Sequence, residues 1–185
     1  MSTDIIVPKG LLVYHNVFDE TNIKQFLEAQ TFESLTEAAN SRGVLQYGHP
    51  YNYRHGSREI SVNPIPDAIT TLTNNFLCAT GLTVPYNSCI VNRYTGNQGI
   101  SAHRDSTIFG PCIMCFVIGS GAELEFAHPE GIKFTTYLKG GDVYLMSGES
   151  RYVWTHEIRK RTSDVVDGER IPRGTRYSVT LREKL

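Results

Sequence analysis

The second half of this chain constrains its fold most. From Tyr86 onward, short runs rich in Val, Ile, Tyr, Phe and Thr recur at a spacing of roughly 8–12 residues, broken by Gly or Pro. They are Ser88–Tyr94, Gly99–Asp105, Cys112–Gly119, Glu123–Ala127, Lys133–Leu138, Asp142–Ser147, Tyr152–Glu157 and Thr175–Arg182. Branched and aromatic side chains fit a pleated, half-buried surface. So many short strands must hide their open edges by closing a barrel or stacking two sheets. Gly140-Gly141, Gly148 and His128-Pro129-Glu130-Gly131 supply turns. The expectation is a mainly β chain with N-terminal helices and an antiparallel jelly-roll core over residues 86–185.

The first half carries the helical signals. Gly10–Phe18 reads as a strand. Asp19 offers an N-cap to a helix over Thr21–Gln30, where Ile23, Phe26 and Leu27 share a face. A second helix is predicted over Asp67–Thr80, with Pro64 and Pro66 before it and Gly81 after. Both helices are expected to pack against one sheet. No repeat, low-complexity tract or Gly/Ser linker marks a boundary, so residues 1–185 read as one domain, with residues 1–85 an N-terminal extension of the core.

Composition bounds the classes. With 40% hydrophobic residues the chain can bury a core. No apolar run approaches the roughly 18 residues of a membrane span, and Met1–Gly10 lacks a signal pattern. A cytoplasmic or nuclear monomer without membrane contact is expected. Cys78, Cys89, Cys112 and Cys115 are too few for a disulfide scaffold and suggest a reducing compartment. Cys112-x-x-Cys115 lies inside an apolar run with no second metal-type pair, and reads as structural.

Chemistry concentrates at Ile100-Ser-Ala-His103-Arg-Asp105. In an extended segment the side chains repeat with period two, so His103 and Asp105 share a face. A histidine and a carboxylate are two members of the facial triad that binds non-haem Fe(II), and His156 is the candidate third. The pair alone is a weak signal. His128-x-Glu130 has the same spacing but is bounded by Pro129 and Gly131, and reads as a turn. His15 is assigned to the packed N-terminal strand. Asn92 and Tyr94 share a face, as do Arg176, Ser178, Thr180 and Arg182. Arginines pointing into a barrel need anionic partners, and a dicarboxylate matches their forked donors. The bland alternative is an edge strand with solvated arginines.

Together, Asn92-x-Tyr94, Gly99-Ile100, His103-x-Asp105, His156 and Arg176-x-Ser178-x-x-x-Arg182 resemble the AlkB family of Fe(II)- and 2-oxoglutarate-dependent dioxygenases. Glu123–Ile132 (ELEFAHPEGI) and Gly148–Ile158 (GESRYVWTHEI) look most like its branch that modifies the tRNA wobble uridine. The resemblance implies a double-stranded β-helix core, with Fe(II), 2-oxoglutarate and O2 as cofactor and cosubstrates. It implies that His103, Asp105 and His156 ligate iron. Arg176 and Tyr94 would hold the distal carboxylate of 2-oxoglutarate, with Asn92 and Arg182 near its other end. Ser178 stands where relatives often have Asn. The implied reaction oxidises an alkyl group on a nucleobase, by demethylation or stable hydroxylation, in RNA or tRNA. DNA alkylation damage and a protein side chain are the alternatives.

Substrate reading is expected between Arg42 and Glu59. Tyr47, Tyr51 and Tyr53 interleave there with Arg42, His49, Arg54, His55 and Arg58, a pattern suited to base stacking and phosphate contact. The family places a nucleotide-recognition lid in this region. The alternative is a hairpin whose tyrosines pack on the core. Thr107 stands two residues after Asp105, where many family demethylases have a second acid near the base, which weakens an ordinary repair reading. The net charge of −1 hides an asymmetry: Met1–Ser150 holds 9 basic and 14 acidic residues, Arg151–Leu185 9 and 5. Arg159, Lys160, Arg161 and Arg173 are candidate phosphate contacts. Modest affinity for a single-stranded or tRNA-like nucleic acid follows.

Overall fold

The computed structural model describes residues 6–34, 41–49 and 63–185. In chain order the elements are β1 (Leu11–Tyr14), α1 (Thr21–Glu28), β2 (Glu33–Ser34), β3 (Gly43–Gly48), α2 (Asp67–Thr80), β4 (Ser88–Tyr94), β5 (Ile100–His103) and β6 (Phe109–Gly119). There follow β7 (Ala122–Ala127), β8 (Lys133–Leu138), β9 (Val143–Met146), α3 (Gly148–Tyr152), β10 (Thr155–Ile158), β11 (Ser163–Val166), β12 (Glu169–Pro172) and β13 (Arg176–Lys184).

The strands build a major sheet, β1-β9-β6-β13-β4-β3-β2, and a minor sheet, β5-β10-β7-β8, with β11 and β12 as a separate hairpin. The ladders among the described residues are all antiparallel, as a jelly roll requires. Period-two alternation gives the major sheet two different faces. On β6, Met114, Phe116 and Ile118 face α1 and α2, in a core with Ile23, Leu27, Ile69 and Phe76. Ile113, Cys115 and Val117 face the minor sheet, in a second core with Leu124, Phe126 and Trp154. Cys112 and Cys115 therefore lie on opposite faces of one strand and cannot share a metal ion.

Local signals explain the helix ends. The Asp19 carboxylate accepts the Thr21 backbone N–H at 2.9 Å and its hydroxyl at 2.6 Å, occupying a donor the first turn leaves unpaired. α2 stops at Gly81, whose φ of 68° suits a residue without Cβ. No described helix is long and apolar enough to cross a membrane.

Three local expectations are corrected. His15 follows β1 with a side chain 59% exposed, its Nδ1 3.1 Å from the buried Asp142 carboxylate. Tyr152 ends the short helix α3, which Ser147 caps in a reciprocal capping box with Ser150, so the following strand starts at Thr155. The β11–β12 hairpin has no clear strand signal in the sequence, because its alternation is short and charged.

Candidate active site

β5 and β10 pair with His103 opposite His156, their ring centroids 4.3 Å apart. Asp105 lies two residues beyond His103, with Oδ1 3.5 Å from His103 Nε2 and 3.9 Å from His156 Nε2. One donor atom from each residue falls within 4.8 Å of the others. His103 Nδ1 lies 2.7 Å from the Ser101 carbonyl. That oxygen can only accept, so in the neutral ring Nδ1 carries the proton and the Nε2 lone pair faces inward. Burial, reinforced by His103 nearby, pulls the His156 pKa down to about 4, so its imidazole is neutral at pH 7. Burial also pushes the Asp105 carboxyl up. The adjacent His103 ring and the nearby Arg182 charge outweigh this and hold it well below the usual range. Two imidazoles and one carboxylate form the donor set suited to non-haem Fe(II).

These residues open into a cavity of about 320 Å³. β4 pairs with β13 so that Tyr94 stands opposite Arg176 and Asn92 opposite Ser178. All four line the cavity with Thr180 and Arg182, while Tyr177, Val179 and Leu181 point into the core under the helices. Arg176 is 4% and Arg182 6% exposed. Nε and Nη1 of Arg176, and Nε and Nη2 of Arg182, have no hydrogen-bond partner among the described residues. Arg182 reaches Asp105 through Nη1 at 3.3 Å, and its guanidinium lies 3.7 Å from the Phe109 ring centroid. Buried guanidinium donors without acceptors are costly. A carboxylate-bearing molecule in the cavity satisfies them, so the residues present fit 2-oxoglutarate.

Residues 10–182 match the 2OG-Fe(II) oxygenase superfamily. The chain belongs to that superfamily. The oxygenase is 29% identical over 205 residues to the tRNA (carboxymethyluridine(34)-5-O)-methyltransferase ALKBH8 of Macaca fascicularis, a match covering 96% of this chain and 31% of that protein. It therefore spans about a third of the length of such relatives. It is 32% identical over 146 residues to the uncharacterized protein L905 of Acanthamoeba polyphaga mimivirus, covering 75% and 68%. Among solved structures, OsALKBH1 superposes with a TM-score of 0.71 at 16% identity, covering 97% of this chain and 100% of that one. The prolyl hydroxylase of Trichoplax adhaerens, in complex with a hypoxia inducible factor oxygen degradation domain peptide fragment, gives 0.60 at 14%, covering 94% and 82%. At these identities the structural likeness is one of fold.

The family's cofactor is Fe(II), with 2-oxoglutarate and O2 as cosubstrates. When bound, they oxidise a substrate C–H bond while 2-oxoglutarate becomes succinate and CO2. His103, Asp105 and His156 would hold the iron. Arg176 would hold a carboxylate of the cosubstrate beside Tyr94, and Asn92 and Ser178 complete the polar wall. Arg182 steadies Asp105. Leu124, Met146 and Ile158 give the same cavity an apolar side that excludes water.

Several expected contacts fall elsewhere. Tyr47 pairs with Cys89 and packs with it in the core beneath the helices, 8% exposed, so it cannot stack on a base in the cavity. The core-packing alternative holds there. Thr107 sits exposed in the turn before β6 and does not line the cavity. Tyr51, Tyr53, Arg54, His55 and Arg58 lie outside the described residues. Arg159 pairs with Glu125 and Glu157, Arg161 with Glu123 and Asp164, and the buried Arg173 with Asp164. These three are consumed within the protein rather than free for phosphate. His128 lies 3.6 Å from Glu130 and 5.0 Å from the Trp154 ring centroid, away from the cavity.

Arg151, which the sequence reading did not mark, shapes the site, and so does Arg42 from the expected substrate-reading segment. Arg151, on α3 and 2% exposed, donates to the carbonyls of Asp105 and Ser106 at 2.7 Å each, and to Phe109 at 3.4 Å. It pins the segment that carries Asp105 to the helix leading to His156. As the one Arg or Lys of GESRYVWTHEI, it was the available signal. Arg42 lines the cavity and donates from Nε to Asn92 Oδ1 at 2.9 Å.

Proposed function

We propose that this oxygenase oxidises an alkyl group on a nucleobase of single-stranded RNA or a tRNA loop. What supports this most is similarity over 96% of the chain to a protein named for methyl transfer to carboxymethyluridine 34 of tRNA. The site agrees with it. Ser101 and Ala102 are exposed on the cavity wall, so a large molecule can present one group there while most of it stays outside. Oxidation at a carbon bound to nitrogen gives a hemiaminal that releases an aldehyde, so the methyl group leaves. At a carbon bound to carbon the hydroxyl stays. The internal pairing of Arg159, Arg161 and Arg173 argues for modest affinity, set by one unpaired base more than by a broad basic surface. A monomer in the cytoplasm or nucleus belongs to the same proposal.

The test is succinate release from the Fe(II) and 2-oxoglutarate complex on O2 addition, with nucleosides from tRNA, single-stranded RNA and DNA followed by mass spectrometry. A hydroxylated or demethylated RNA nucleoside is the expected product. Turnover confined to alkylated DNA, the substrate type in the name of an Arabidopsis thaliana relative, or to peptides would replace this reading.

A further inference from the structure

The cavity wall carries three guanidiniums, Arg42, Arg176 and Arg182, against one carboxylate, Asp105, among the described residues. Fe(II) brings a divalent cation and 2-oxoglutarate a dianion, so loading both leaves the excess of positive charge unchanged. Arg182 already reaches Asp105, and Arg176 is the buried match for a cosubstrate carboxylate. Arg42 is the cation left over.

Its placement is specific. Val44 and Gln46 pair with Asn92 and Ile90, which line the cavity, and period-two alternation puts Arg42 on that same side of the sheet. The bond from Nε to Asn92 Oδ1 orients the guanidinium against the β4 wall. Nη1 and Nη2 have no partner among the described residues. The side chain is half-buried, so its charge is partly desolvated with no counter-anion among the described residues, a cost that an incoming anion removes.

We propose that Arg42 reads the substrate by binding an anionic oxygen group on it, a carboxylate on the base or a backbone phosphate. This rests on the nucleobase-oxidising function proposed above. The site then selects for charge as well as for the shape of the base, and a neutral analogue binds more weakly.

Arg42→Gln keeps a donor for Asn92 and removes the charge. Calorimetry on the anaerobic Fe(II) and 2-oxoglutarate complex, parent and variant, uses acetate, inorganic phosphate, a nucleoside with a carboxylate on its base, and single-stranded RNA with native or methylphosphonate backbone. The expected result is unchanged 2-oxoglutarate affinity with roughly tenfold weaker binding of an anionic probe. Weakening confined to the carboxylate nucleoside and acetate assigns a base carboxylate. Weakening of native RNA and phosphate, but not of methylphosphonate RNA, assigns the backbone. Arg42→Lys restores part of either. Loss of 2-oxoglutarate affinity in Arg42→Gln overturns the proposal by making Arg42 a cosubstrate residue. RNA bound and oxidised equally by parent and variant also overturns it while the nucleobase function stands. Anion binding that Arg42→Gln abolishes, in a parent that binds no RNA, supports the anion site and removes the nucleobase function.

Discussion

Arg151 donates from Nη1 to the Asp105 backbone carbonyl at 2.7 Å, joining a buried cation on one element to a candidate metal ligand on another. Because its other contacts are the Ser106 and Phe109 carbonyls, the bond fixes a whole segment. Arg151→Met strands three acceptors and is expected to cost about 3 kcal/mol in urea denaturation. Fe(II) or Co(II) affinity of the folded variant should also fall roughly tenfold or more, since groups that orient ligands have effects of that size. Unchanged metal affinity in a folded variant would reduce Arg151 to a packing role.

The triad makes a sharper prediction. His103→Ala, Asp105→Ala and His156→Ala should each lower metal affinity by more than about 100-fold, because removing a ligand exceeds the effect of removing its support. Equilibrium dialysis with Co(II) reads this directly. Retained affinity in any one of them would exclude that residue as a ligand.

Arg176 separates charge from geometry. Arg176→Met is expected to raise the KM for 2-oxoglutarate about 100-fold, the usual cost of truncating one side of a buried charge pair. Arg176→Lys should recover only part, since an ammonium cannot form two parallel bonds to a carboxylate. Circular dichroism controls for folding. Equal KM values for parent and Arg176→Met would place the cosubstrate elsewhere.

Asp164 tests the interpretation of the C-terminal basic residues. Its buried carboxylate accepts from Arg173 Nε at 2.6 Å and Nη2 at 2.7 Å, and from Arg161 Nε at 2.9 Å. Asp164→Asn leaves the buried Arg173 unmatched and should destabilise by about 3 kcal/mol or more. A loss of RNA affinity without a loss of stability would mean that these arginines face the ligand after all.

The cysteines allow a simple check on the two cores. Burial pushes the Cys89 thiol up to about 12, against the opposing charge of Arg182, and raises Cys115 as well. Cys89 is therefore held as the unreactive thiol at pH 8. Iodoacetamide should modify the exposed Cys78 in the native protein, and Cys89 and Cys115 only after unfolding. Rapid native labelling of Cys89 would contradict the packing of β4 under α2.

Much of the site was legible because it obeys strand periodicity. Arg176, Ser178, Thr180 and Arg182 alternate with Tyr177, Val179 and Leu181, and Asn92 alternates with Val91, so which side chains travel together follows from the sequence. Pairing cannot be read that way. Tyr47 and Asn92 are both polar-tipped residues on strands, yet the register of β3 on β4 sets Tyr47 opposite Cys89, under the helices. Parity within a strand is local, whereas the face it meets depends on which strand lies beside it.

Charge shows the same division. The sequence determined how many cations the C-terminal part carries. Only the tertiary structure decided that Arg159, Arg161 and Arg173 meet acids from β7, β10 and β11, and that Arg151 spends its charge on backbone carbonyls. It also left Arg42 facing the cavity, bonded to Asn92. An ion pair between distant residues has no local signature, because its partners are brought together by strand order and not by spacing along the chain.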